Sequence, residues 1–211
     1  MKILLLVASL VLLTGCFDNA NIQKEKKPQE NTEADSYSPK QQEVKSYLGL
    51  YLEQLQNLDT DNIIAMTYPK LFIAIYKTVF KQYINTLLTS EHISVESFKT
   101  QIVHIGKVYP YSQGEFSQIE YKTTIKLNFI NPKLYSDELS IRVLHDALSR
   151  KYGEENININ PHERSITIAK DEKLLAIKEK GNTWKFLGDN ASYREIYPKI
   201  LPMDLLEKIQ H

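Results

Sequence analysis

The strongest hydrophobic pattern in the chain lies near its middle. Ile119, Tyr121, Thr123, Ile125, Leu127 and Phe129 alternate with Gln118, Glu120, Lys122, Thr124, Lys126 and Asn128. A period of two sends successive side chains to opposite faces, so this stretch predicts a long strand with one buried and one wet face. Phe98–Val108, with Ile102, Val103 and Ile105, is the expected partner strand. Pro110, Ser112, Gln113 and Gly114 supply turn chemistry for a wide hairpin between the two.

Upstream the period is helical. Ser38-Pro39-Lys40-Gln41 places a capping serine before a proline in the first turn, with glutamine at the third helical position. Val44, Tyr47, Leu48, Tyr51, Leu55 and Leu58 then recur on one helical face, and Asp59–Asn62 ends the run. A short helical piece is expected around Ile63–Met66. Pro69 to Leu88 reads as one continuous helix, its stripe formed by Phe72, Ile75, Tyr76, Val79, Phe80, Tyr83, Ile84 and Leu87. Lys70, Lys77, Lys81 and Asn85 occupy its other side, and the lysines argue against a membrane span. A tyrosine-bearing stripe could line a ligand pocket, but burial in the core is the commoner fate of such a face.

Downstream, Asn131-Pro132 closes the long strand. Ser136-Asp137-Glu138 opens a helix with acids at its positive end, Ile141, Leu144, Leu148 and Tyr152 share one face, and Gly153 is a natural stop. Four strands follow, at Ile157–Asn160, Ser165–Ala169, Lys173–Glu179 and Thr183–Leu187, the last two joined by Lys180-Gly181-Asn182. Trp184 and Phe186 fall on one face of the final strand. A helical region from Ser192 to Gln210 is expected to be interrupted by Pro198 and Pro202. The resulting class is α+β: N-terminal helices packed on a curved antiparallel sheet, one helix between the strands, and a short C-terminal helical region. Residues 39–211 suffice for a single domain with one sizeable core.

The first 38 residues follow a different logic. Lys2 precedes an apolar run from Ile3 to Leu13, and the run ends in Leu13-Thr14-Gly15-Cys16, which holds the only cysteine of the chain. Eleven residues are too few to span a bilayer, which takes about 20. A charged start, an apolar middle and small residues before a cut are the parts of a secretory signal. An ordinary signal usually offers an Ala-x-Ala-like site, and none follows Leu13; an unpartnered cysteine also fits a disulfide framework poorly. This leader resembles a bacterial lipoprotein signal peptide, whose lipobox ends in the cysteine that receives the lipid. The resemblance implies a signal peptide over residues 1–15, lipid (palmitate) attachment at Cys16, and a place in the cell envelope. With Phe17 rather than Asp after the cysteine, it further implies the periplasmic face of the outer membrane if the cell is Gram-negative. Residues 17–38, rich in Asn, Gln, Glu, Lys, Ser and Pro, cannot bury enough apolar surface to offset ordering and read as a disordered tether. Twenty-two flexible residues typically span about 26 Å.

Charge narrows the partners. The 26 basic and 26 acidic residues balance; losing the leader, with its one lysine and no acid, leaves 196 residues at a formal charge of −1. That balance argues against a basic nucleic-acid footprint and against a polybasic membrane patch, so the lipid is expected to do the anchoring. The expected partners are the membrane, through the lipid on Cys16, and an envelope protein or small apolar ligand.

Candidate chemistry in the globular part is sparse. Leu174-Leu175-Ala176-Ile177-Lys178, Gly181 and Trp184-Lys185-Phe186 resemble the closing hairpin of nuclear-transport-factor-2-like domains, cone-shaped α+β folds that include ketosteroid isomerase-like enzymes. The resemblance implies a pocket between sheet and helices, with an Asp or Glu acting as base in the enzymes of the group. No acid aligns to that base. His145-Asp146 is an adjacent pair on a helix, and neighbours in sequence point in different directions there. His104 shares its expected strand face with Phe98, Thr100 and Ile102, and would act as a base only opposite an acid. His92 and His162 sit beside Glu91 and Glu163 without the i, i+4 spacing of helical zinc sites. No catalytic residue, metal site or cofactor is therefore assigned. The reading is a non-enzymatic binding or interaction domain, the alternative a pocket enzyme of isomerase or hydrolase type.

Overall fold

The computed structural model describes residues 37–131 and 137–209. The leader, Cys16, most of the tether, Pro132 and Ser136 lie outside the described residues. The expected α+β class is found: among the described residues, seven α-helices accompany a six-stranded, open antiparallel sheet. No helix there is long and apolar enough to cross a membrane.

Helix α1 (Pro39–Gln56) begins at the expected capping box, in which the Ser38 hydroxyl accepts from the Gln41 N–H while the Gln41 side chain accepts from the Ser38 N–H. Helix α2 (Thr60–Met66) is capped by Asp59. Its exit, Thr67, forms a single parallel bridge to Phe186, and the Tyr68 N–H donates to the Phe186 carbonyl. The chain therefore turns around that sheet edge, which corrects the next expectation. Pro69–Leu88 is two helices, α3 (Leu71–Ala74) and α4 (Lys77–Leu88), broken at Ile75-Tyr76. Leu71 packs with the core on one side of the sheet, whereas Phe80 and Ile84 pack with the core on the other. No straight helix could serve both, so the break is set by tertiary packing without a proline or glycine. The stripe positions Tyr83 and Leu87 have side chains outside the described set.

Strand β1 (Ile93–Ile105) starts earlier than expected and pairs with β3 (Gly114–Phe129), and the short β2 (Tyr109–Tyr111) extends the same edge. Helix α5 (Glu138–Tyr152) is capped by Asp137 and stopped by Gly153, whose φ of 88° suits glycine. After β4 (Ile157–Asn160) the two expected strands Ser165–Ala169 and Lys173–Glu179 prove to be one, β5 (Ser165–Glu179). Its pairing with β3 is continuous from Asn128↔Ser165 to Gly114↔Glu179. The last strand, β6 (Lys185–Gly188), flanks β5 beside Leu174–Ile177, and β4 flanks it beside Ser165–Ile168. Helix α6 (Ala191–Ile200) contains Pro198 instead of stopping there, so only Pro202 separates it from α7 (Met203–Ile209).

The sheet's front face carries two apolar clusters in line. Val44, Leu48 and Leu55 of α1 meet Ile119, Leu174, Trp184 and Phe186 at one end, while Leu144 and Leu148 of α5 meet Ile125, Leu127, Ile166 and Ile168 at the other. Among the described residues the back face is covered only at the first end, where Phe116, Leu175 and Ile177 pack under α3, α6 and α7. We call this doubly covered end, with the 111–114 turn and the 179–182 hairpin, the near end.

Candidate functional site

Between the two front-face clusters the ladder turns polar. Thr123 stands opposite Lys170, and Tyr121 opposite Glu172, in the β3–β5 register. Alternation along β5 places Lys170 and Glu172 on the same inward face as Ile166, Ile168, Leu174 and Ala176. Their side chains are only 6% and 3% exposed, and they form an ion pair with each other. The Lys170 ammonium also lies 5.8 Å from the centre of the Tyr152 ring on α5. From β1, Thr100 faces Thr123 and accepts a 2.6 Å hydrogen bond from the Gln56 amide at the end of α1. The Thr123 hydroxyl is fully buried and has no hydrogen-bond partner among the described residues.

Two tyrosines extend this band toward β6. Burial raises the Tyr51 phenol to about 12, opposed by a hydrogen bond with Thr67. Burial, then the fields of Tyr51 and Glu172, push the Tyr193 phenol up as well. Tyr193 reaches there because Gly188 leaves room: a β-carbon on Gly188 would lie 2.5 Å from the Tyr193 ring. A buried, charge-balanced pair inside a frame of hydroxyl groups can orient a polar group or hold a proton. Charges this far from water persist by pairing.

The residues singled out in the sequence fall elsewhere. A register shift between Ile102 and His104 moves His104 off the face of Phe98, Thr100 and Ile102. His104 is exposed and pairs in register with Glu120, but the Glu120 carboxylate sits 3.1 Å from the Lys173 ammonium. These residues line a back-face cleft of about 550 Å³ with Lys107, Gln118 and Arg194. At its rim the fully buried Asp189 carboxylate accepts from Arg194 at 2.8 and 3.3 Å and from the Tyr197 hydroxyl at 3.2 Å. Burial and then Asp189 push the Tyr197 phenol up.

His145 lies at the α5 edge, 3.4 Å from the Ser149 hydroxyl and 4.0 Å from Asp146, in a groove of about 500 Å³ with Ile141, Ile157 and Ile159. His162 is exposed, and its neighbour Glu163 pairs with Lys126 instead. His92 is half-buried, and its Nδ1 has no partner among the described residues. No group of three or more metal-ligating side chains comes together among the described residues.

Sequence reasoning missed Lys170 and Glu172. The run Lys170-Asp171-Glu172-Lys173 looks like a turn, so the strand was expected to stop at Ala169. The signal was nonetheless present: Ile166, Ile168, Leu174 and Ala176 keep one unbroken period of two across the charges.

Fold and site together define an α+β protein with helices over the front sheet face and part of the back, and a sealed ionic band in its front core. Beyond that class, no family model, no curated protein and no solved structure matches this chain.

Proposed function

We propose that this is a lipid-anchored cell-envelope protein whose α+β domain is a non-enzymatic binding module for an envelope protein or a small apolar ligand. The observation that carries the anchor is Leu13-Thr14-Gly15-Cys16 at the end of the apolar run, followed by 22 polar-rich residues that end in Ser38, the cap of α1. Cys16 takes the lipid, residues 17–38 are the tether, and the domain works at the membrane surface. In a Gram-negative cell that surface is the periplasmic face of the outer membrane. Binding is favoured over catalysis because the buried charges of the front core neutralise each other. The α5–β4 groove offers Ile141, Ile157 and Ile159 as contacts for a small apolar ligand, beside the polar side chains of Glu138, Arg142, His145 and Asn158.

Metabolic labelling with an alkyne palmitate analogue tests the anchor. The wild-type chain should incorporate label and Cys16→Ser should not; equal labelling of the two would end the lipoprotein reading. The binding role is tested with a fluorescent fatty-acid probe, whose saturable binding should weaken in Ile141→Glu.

A second reading, a pocket enzyme of isomerase or hydrolase type on a nuclear-transport-factor-2-like fold, draws on the position of Glu172 between sheet and helices. A carbon-detected NMR titration separates the two. A Glu172 carboxyl titrating near neutrality favours the enzyme, as catalytic acids require; one staying in or below the ordinary carboxylate range favours the binding module.

A further inference from the structure

The geometry points to a second membrane contact, made by the near end of the domain itself with an anionic lipid surface. The break between α3 and α4 leaves Ile73 75% and Tyr76 80% exposed, unusual for side chains of their size. Met203, 70% exposed, belongs to the same end, since the next residue, Asp204, accepts from the Ser112 N–H and hydroxyl. Lys70, three residues before Ile73, bonds Gln113 at 2.9 Å and Glu179 at 2.8 Å, which fixes the start of α3 to this tip.

Charge complements the apolar exposure. Residues 61–90 contain Lys70, Lys77 and Lys81 against one acid, Asp61. Asp61 pairs with Lys81 and Glu179 with Lys70, which leaves Lys77, exposed beside Tyr76, outside any ion pair among the described residues. Exposed apolar side chains next to an uncompensated lysine suit an anionic bilayer interface, where the side chains enter the headgroup boundary and the ammonium meets lipid phosphate. The direction of the tether agrees. Lys40, in the first turn of α1, pairs with Glu115, and Gln41 bonds the carbonyls of Ile105 and Gly106. The chain from Cys16 therefore enters the domain at the end that carries Ile73 and Tyr76, and a bilayer holding that lipid lies within reach of both. The part of the argument that uses the tether rests on the lipid-anchor reading; the charge and exposure do not.

The test uses a single added indole. Trp184, the chain's only tryptophan, is 1% exposed and supplies a shielded background. The mature chain carrying Ile73→Trp is mixed with phosphatidylglycerol–phosphatidylcholine vesicles whose acyl chains are brominated. The added indole should lose its emission while that of Trp184 persists, and the loss should fall away in high salt. Tyr76→Trp, a conservative change at the neighbouring site, gives the same reading if Ile73→Trp fails to fold. Val143→Trp, on α5 at the other end, should remain bright.

Unchanged emission at positions 73 and 76 overturns the proposal, as does equal quenching at 143. Concentration-dependent dimerisation that shields position 73 without quenching also overturns it, in favour of a second copy of the chain. Flotation of the wild-type chain with neutral phosphatidylcholine vesicles reports the anchor separately. Flotation without quenching removes the docking contact alone, and quenching without flotation removes the anchor alone.

Discussion

Replacing Lys170 with methionine is the sharpest test of the front core. Methionine approximates the lysine stem in length and volume, so little cavity cost enters. What changes is that the Glu172 carboxylate, 3% exposed, loses its cation between two apolar clusters. Breaking a buried pair from one side costs about 3–5 kcal/mol. The contact between Lys170 and the Tyr152 ring adds roughly 0.5–2 kcal/mol at such a site. With a urea slope of about 2 kcal/mol/M, the unfolding midpoint should fall by roughly 2 M. The double variant Lys170→Met, Glu172→Met removes both charges and should recover most of that loss, because apolar replacements of buried pairs are often neutral or stabilising. Urea unfolding followed by Trp184 fluorescence reads both. A single-variant loss below about 1 kcal/mol, the range of solvent-exposed pairs, would refute the claim that water is excluded from this band.

Three further outcomes can be checked on the same instrument. Ser38→Ala removes the capping box of α1 and should cost about 1 kcal/mol, while a Ser38→Asp variant should keep most of the stability. Gly188→Ala drives a methyl into the Tyr193 ring and should cost about 1–3 kcal/mol; an unchanged melting temperature would mean the ring moves aside freely. The Glu179 carboxyl is held below its ordinary range by the Lys70 ammonium and, against burial, by the Tyr68 hydroxyl. A depressed carboxyl stabilises the fold above its unfolded value of about 4.3, and that contribution is lost as pH falls through the lower folded value. Glu179→Gln should therefore be less stable than wild type at neutral pH, and the two curves should converge in acid.

The sequence made the local elements legible and left the three-dimensional compromises hidden. The alternation at Ile119–Phe129, the Ser38 cap and the Gly153 stop each follow from neighbours in sequence, and each was found in place. The division of Pro69–Leu88 was not legible, because its cause is a sheet edge formed by Phe186, more than a hundred residues away. Pro198 was expected to end a helix, yet α6 continues through it to Ile200. The candidate site was the hardest to read. Charge at Lys170–Lys173 imitates a turn, and the partner that makes burial tolerable, two residues away on the same strand, matters only once the strand is known to be continuous. His104 failed as a candidate for the opposite reason: a one-residue bulge, invisible in the periodicity, turned it to the outer face.

The unequal cover of the sheet sets how the molecule breathes. Residues 174–177 of β5 lie between helices on both sides, whereas residues 165–171 are roofed on the front alone. Amide protons at Leu175 and Ile177 should thus exchange only in the rarest openings, while the opposite half frays at lower cost. Lys170 and Glu172 stand close to the boundary between the halves. Water should then reach the pair during partial openings of the singly roofed half rather than through the doubly covered one.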